Sequence, residues 1–234
     1  MVFEIIAETA DFVAIDKSAG LIVHSDGRTE ESSLSELLTI QYPEMRGVGE
    51  VWTTPQGVEI PLHGVVHRLD RSTAGVMLFA RTQEAFEALR AQFRARRVKK
   101  TYEALVEGLT DDEGSISAEI VRTNSVPKRW TALPRPADHH RAALTDWARL
   151  RSGHLEDQPV SHVMVRPRTG RTHQIRVHFA HMGHPLVGDE LYGGQLHTGG
   201  WIRPALHATH ISFEFNGEHH EFESRSNPLK SVSL

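Results

Sequence analysis

Cysteine is absent from the 234 residues, and that absence removes disulfides, thiolate nucleophiles and cysteine-based zinc sites together. Any metal would have to be held by histidine and carboxylates. Long apolar runs are missing too: none approaches the length of a membrane span, and the opening MVFEIIAETADF carries acids where a signal peptide carries basic residues. A cytoplasmic protein without a membrane partner is expected. No Gly-x-Ser-x-Gly elbow, P-loop or dinucleotide glycine pattern occurs, so a serine-elbow hydrolase and nucleotide cofactors have no support.

What is present is ordinary in amount and uneven in placement. With 39% hydrophobic and 24% charged residues the chain can bury one substantial core or two small ones, and a single domain over residues 1–234 is expected. The net charge of -4 argues mildly against a nucleic-acid partner, but the basic residues are segregated. Arg90, Arg94, Arg96, Arg97, Lys99 and Lys100 share one segment without an acid, and Arg166, Arg168, Arg171 and Arg176 share another. A basic groove on a slightly acidic protein is compatible with this pattern.

FEIIAE and DFVAID predict a strand pair turning near residues 9–11. SSLSELLTI predicts a short helix with a serine cap, ended by Tyr42 and Pro43. Residues 47–64 predict an extended loop with one hairpin, and AGVMLFAR a strand. Thr82 can cap a helix running to about Arg97, with Phe86, Leu89 and Phe93 as its core stripe and Arg90 and Arg94 along the rim. KTYEALVEG, GSISAEIV, LTDWARL and SHVMVRP predict strands, and residues 122–141 a loop or irregular hairpin. THQIRVHFAHMG shifts to helical spacing, with Ile175, Phe179 and Met182 inward and Gly183 as the stop. HISFEFN and HHEFES predict a hairpin around Asn216 and Gly217. The fold class is α+β, with a largely antiparallel mixed sheet and flanking helices.

Sixteen histidines invite a metal reading, and His173, His178, His181 and His184 crowd one segment. Their spacing lacks the i, i+4 pair with an intervening Glu that a zincin helix uses, so no metal is expected. Asp70, in VVHRLDRSTAGVMLFAR, has two readings. It is either a solvated turn carboxylate paired with Arg68 or Arg71, or an acid between buried apolar segments that needs a specific partner. Tyr102 is either a packed strand aromatic or, beside Lys99 and Lys100, part of a nucleic-acid surface where a ring stacks on a base. From residues alone the reaction stays open.

Several ordered stretches together resemble the RluA-type family of RNA pseudouridine synthases. HRLDRSTAG is similar to its HRLD-x-x-T-S-G motif, KKTYEALVEG to its K-x-Y-x-A-x-V-x-G strand, and RTGRTHQIRVHFAHMGHPLVGDELYGG to its C-terminal signature, with LHA at 206–208 and VAIDKSAGLIVH also in order. Two positions depart from the family: Ala74 replaces the motif serine, and Ser18 replaces the proline that usually follows the lysine at 17. The resemblance implies the pseudouridine synthase fold in one catalytic domain, without an N-terminal S4-like module, so that this domain itself holds the RNA.

The same resemblance implies an isomerase that converts uridine in ribosomal or transfer RNA to pseudouridine after base flipping, with no cofactor. It implies Asp70 as the catalytic carboxylate, with Arg176 paired to it. Tyr102 packs on the target uracil and helps remove the C5 proton, and Arg68 fills the space left by the flipped base. Arg71, Lys100 and Arg171 are expected at phosphates. No obligatory protein partner is expected, and a monomer is the default. The competing classes are a catalytically inactive RNA-binding or RNA-folding protein on the same fold, and a metal-dependent hydrolase built on the histidine cluster.

Overall fold

A computed structural model of the chain describes residues 3–25, 27, 29–125, 129–133, 142–195 and 200–234. In chain order its elements are β1 Phe3–Glu8, β2 Phe12–Lys17, α1 Leu34–Gln41, β3 Val51–Thr53, β4 Glu59–Pro61, β5 Ala74–Ala80 and α2 Gln83–Arg94. They continue with β6 Lys99–Glu107, β7 Glu113–Arg122, β8 Trp130–Leu133, β9 Ala142–Leu155, β10 Gln158–Pro167, α3 Gln174–His181, β11 Leu206–Phe215 and β12 Glu218–Glu223. Short 3-10 turns occur at Pro43–Met45, Glu190–Tyr192 and Pro228–Ser231. The class is α+β, and the registered strand pairs are antiparallel.

The chain forms two compact units, Met1–Lys99 with His210–Ser226, and Lys100–Thr209 with Asn227–Leu234. In the first, β1, β2 and β5 pair in that order, and every residue of β2 and β5 is buried. Strands buried at every residue are covered on both faces. Phe12 of β2 meets Phe213 and Phe215 edge to face at 5.3 and 5.6 Å, which ties the β11 and β12 hairpin to this core. The hairpin turns at Asn216 and Gly217, both with positive φ as a two-residue type I′ turn requires.

The helices of this unit begin as their caps dictate. Ser33 accepts from the Glu36 amide, Glu36 returns a bond to the Ser33 amide, and Thr82 accepts from the Ala85 amide. The second of these helices, α2, ends earlier than its spacing predicts, at Arg94, because Arg96 takes a left-handed conformation with φ 58°. Phe93 is half-buried rather than core. Arg90 and Arg94 both bind Glu50 at the root of the β3 and β4 hairpin. At the far end of that hairpin loop Gly64 is obligatory: with φ +79°, an added Cβ would lie 2.0 Å from the Ala80 carbonyl oxygen.

In the second unit the strand order is β6, β10, β9, β7, β8. Leu105, Leu155, Val160, Val187, Ala205 and Leu229 form one core cluster. The chain's end is held to this unit: the buried His162 bonds the Glu103 carboxylate at 2.8 Å, and Arg151 links the His162 ring to the Leu229 carbonyl. The His162 hydrogen bond is the main cause that holds Glu103 below the usual carboxylate range. Within 122–141, Trp130–Leu133 forms β8 on β7, while 126–128 and 134–141 lie outside the described residues. Buried residues of α3 run from Gln174 to Phe179, and Met182 is a half-buried cap residue rather than an inward one.

Candidate active site

Asp70 lies in the loop 67–73 that leads into β5, half-buried, with Arg68 beside it exposed. The Asp70 carbonyl accepts the Thr73 amide at 3.0 Å, closing a four-residue turn. Upstream, His67 fastens the loop: its Nε2 accepts the Leu78 amide at 3.0 Å, and its ring stacks on Phe93 with centroids 4.8 Å apart. Here Phe93 does the work of a loop anchor, which explains its partial exposure.

Downstream the loop is braced from the N-terminal segment. The Arg71 carbonyl accepts the Gly20 amide at 2.7 Å and the Lys17 ammonium at 3.3 Å. Lys17 is 1% exposed and donates also to the Ser18 and Leu21 carbonyls at 3.0 and 2.9 Å. A buried ammonium is tolerated only where such acceptors replace its water. Ser18 contributes a backbone oxygen that a proline would equally supply, so this departure from the family pattern keeps the brace. The Arg71 side chain donates from Nε to the Gly20 carbonyl at 2.8 Å and pairs with Glu31 at 2.7 Å.

In the second unit Tyr102 is buried on β6 opposite Val165 of β10. Lys100 sits two residues earlier, on the same strand face. Its ammonium lies 3.7 Å from the position a Cβ on Gly170 would take, against the loop that carries Arg171. Burial pushes this lysine below its usual range, so an arriving anion would relieve an unfavourable charge.

Gln174 organises the arginine loop. Its Oε1 accepts from the Thr169 hydroxyl at 2.7 Å and from the Arg171 amide at 3.0 Å, while Nε2 donates to the Leu144 carbonyl and the Thr145 hydroxyl. Two residues further along α3, the buried Arg176 donates from Nε and Nη2 to the two carboxylate oxygens of Asp189, at 2.7 and 2.8 Å. Tyr192 lies under the guanidinium, 5.0 Å from ring centroid to Cζ. The Tyr192 hydroxyl in turn meets His173 Nδ1 at 2.8 Å and accepts the Trp130 amide at 3.2 Å.

Arg68, Asp70 and Arg71 thus belong to the first unit, and Lys100, Tyr102, Arg171 and Arg176 to the second. Lys100 and Arg171 come together at one loop, and Gln174 links that loop to the start of α3. Sequence reasoning gave no role to Lys17, Gln174, Asp189 or Tyr192. The available signals were a lysine closing an apolar strand, and an acid set among Gly188, Gly193 and Gly194 after a helix with arginine in its apolar run. The clustered histidines serve separate partners: His173 meets Tyr192, His178 the Thr145 hydroxyl, and His184 the Glu107 carbonyl. Among the described residues no three His, Cys, Asp or Glu gather as a metal site, and no helix is long and apolar enough to cross a membrane.

A family model described as RNA pseudouridylate synthase matches residues 11–181. Ribosomal large subunit pseudouridine synthase D of Pseudomonas aeruginosa is 34% identical over 231 residues, which cover 99% of this chain and 66% of that protein. An RNA pseudouridine synthase of Aquifex aeolicus, itself described as uncharacterized, is 37% identical over 190 residues, 81% of this chain and 55% of that one. Among solved structures, Human RNA Pseudouridylate Synthase Domain Containing 1 aligns with a TM-score of 0.74 at 27% identity, over 96% of this chain and 83% of that one. The chain therefore spans 55 to 66% of the length of these two curated relatives. With most of its length matched by the family model, including loop 67–73, β6 and α3, the chain belongs to the RNA pseudouridylate synthase family.

Proposed function

We propose that this protein isomerises uridine to pseudouridine within RNA, with Asp70 as the catalytic carboxylate. The observation that carries this reading is the family match over residues 11–181, a span that contains Asp70, Tyr102 and Arg176. Ribosomal RNA is favoured over transfer RNA as the substrate because the printed name of the Pseudomonas aeruginosa relative specifies the ribosomal large subunit. Both RNA classes put the work in the cytoplasm, and we take the acting form to be a monomer with no obligatory protein partner.

The reaction balances without a cofactor. The bond from N1 to C1′ breaks, the uracil turns, a bond forms from C5 to C1′, C5 loses its proton and N1 gains one. Asp70 acts as nucleophile or base on the flipped nucleotide, and Arg176 compensates and aims its carboxylate. Tyr102 packs on the uracil and assists removal of the C5 proton. Arg68, exposed beside Asp70, fills the stack vacated by the flipped base. Lys100 and Arg171 hold phosphates, a role that the burial of Lys100 against the arginine loop favours. Arg71 joins them by exchanging Glu31 for a phosphate.

Tritium release from transcripts carrying 5-tritiated uridine tests the reading. Wild type should release tritium and Asp70→Asn should not. Equal release from both would remove the Asp70 chemistry from the reading, and none from wild type on total cellular RNA would leave an RNA-binding protein without it.

A further inference from the structure

Asp189 has no place in the reaction as proposed, yet it is 1% exposed and paired with Arg176. Its two oxygens take Nε and Nη2 along one edge of the Arg176 guanidinium. A guanidinium gripped along one edge by a carboxylate loses its freedom to rotate about the final side-chain bonds. Tyr192 removes the remaining freedom by covering one face, and is itself fixed by His173 and the Trp130 amide. Edge and face together define the plane in which the Arg176 guanidinium lies.

The turn that carries Asp189 is built to the same end. Its amide donates to the Leu186 carbonyl at 3.0 Å, and its carbonyl accepts the Tyr192 and Gly194 amides at 3.0 and 2.8 Å. Gly194 cannot be larger, because a Cβ there would lie 2.0 Å from the Leu186 oxygen. Asp189 also offsets the charge of Arg176. A guanidinium already paired serves a second carboxylate mainly as an aimed donor, and much less as a bare countercharge.

We infer that Asp189, with Tyr192, is a positioning residue for the reaction: it fixes the plane of the Arg176 guanidinium and so the direction in which Arg176 serves the Asp70 carboxylate. This inference rests on the isomerase reading above. A purely structural ion pair predicts a different result, since its loss would lower stability without a specific effect on the chemical step.

The test is single-turnover tritium release alongside RNA affinity. Asp189→Asn, which keeps the shape of the side chain, should slow release about 10- to 100-fold, the penalty of misaimed catalytic groups, while RNA Kd changes less than about 3-fold. Tyr192→Leu should slow release by a smaller factor with Kd equally unchanged. In a cycle with Arg176→Lys, the double variant with Asp189→Asn should be no slower than Arg176→Lys alone, because Asp189 acts through Arg176. Arg151→Met, which loosens the His162 and Leu229 contacts, controls for stability and should melt earlier while keeping its rate below the melting range. Wild-type release by Asp189→Asn, additive losses in the cycle, or a defect confined to Kd would overturn the inference. If wild type and Asp70→Asn release tritium equally, the Asp70 reading itself has failed and this inference falls with it.

Discussion

Lys17 and Arg71 meet through the backbone and not through their charges: the Lys17 ammonium reaches the Arg71 carbonyl oxygen at 3.3 Å, next to the Ser18 and Leu21 carbonyls. The residue after Asp70 is thereby fixed to the end of β2. Lys17→Met removes the cation and leaves the Ser18, Leu21 and Arg71 carbonyls short of one donor. We expect a loss of about 2–4 kcal/mol in urea unfolding and a slowed tritium release that added salt does not restore. A Lys17→Met protein with wild-type stability would show that the brace is dispensable.

Gln174 satisfies four partners with one amide, two at each end. Gln174→Leu matches its bulk and none of its bonds. It should cost about 2–4 kcal/mol and loosen the Arg171 loop, so that RNA affinity falls along with the urea midpoint. Gln174→Glu keeps the acceptors and should retain the Arg171 amide bond while losing the bond to the Leu144 carbonyl. Amide exchange at Arg171 separates the two variants.

His178 is fully buried, bonds the Thr145 hydroxyl through Nδ1, and has no partner for Nε2 among the described residues. Burial, with a smaller contribution from the charge of His181, lowers its pKa from 6.5 to about 4. Between those values the unfolded chain binds the proton and the folded one does not, so stability is intact above pH 6.5 and drains away as pH falls toward 4. The loss from this one group is on the order of 3 kcal/mol. In His178→Gln the slope of urea stability against pH over that window should flatten by a corresponding amount; an unchanged slope would falsify the assignment.

Arg71 and Glu31 form an exposed pair, with side chains 51% and 57% accessible, worth no more than about 1 kcal/mol. Under the proposed function, RNA phosphate competes for the same guanidinium. Glu31→Gln should therefore tighten RNA binding about 2- to 3-fold at low salt, with the advantage fading as salt rises. Arg71→Ala in the Glu31→Gln background should erase it. Equal affinities for Glu31→Gln and wild type would remove Arg71 from the phosphate contacts.

Local chemistry was legible wherever the local sequence decides the outcome. The Ser33 and Thr82 caps, the pairing of β1 with β2 and the turn at Asn216 and Gly217 follow from near neighbours, and the structure has them where the sequence puts them. Errors arose where a distant partner overrode the local pattern. Phe93 has the spacing of a core residue, but its neighbour is His67, and the pair serves a loop. The early end of α2 turns on the left-handed backbone of Arg96, which composition does not announce.

The candidate site divides in the same way. Motif resemblance drew attention to Asp70, Tyr102 and Arg176, since motifs concentrate such residues. It said nothing of Asp189, 13 positions beyond Arg176, because an acid in a glycine-rich turn ordinarily reads as solvated. Only burial distinguishes it. Lys17 escaped for the complementary reason: its partners are carbonyl oxygens, which leave no trace in side-chain identity.

The division of the chain at residues 99, 209 and 226 has a consequence for how the protein is made. The first unit needs residues 210–226 to close and the second needs 227–234, so neither can finish before those residues have left the ribosome. A nascent β5, apolar along its whole length, can pair with β2 early but must wait on its other edge for β11, which emerges more than a hundred residues later. During that interval β5 has one open edge. Synthesis therefore leaves the apolar β5 open along that edge until β11 arrives, and the yield in a cell should be sensitive to translation speed and chaperone supply.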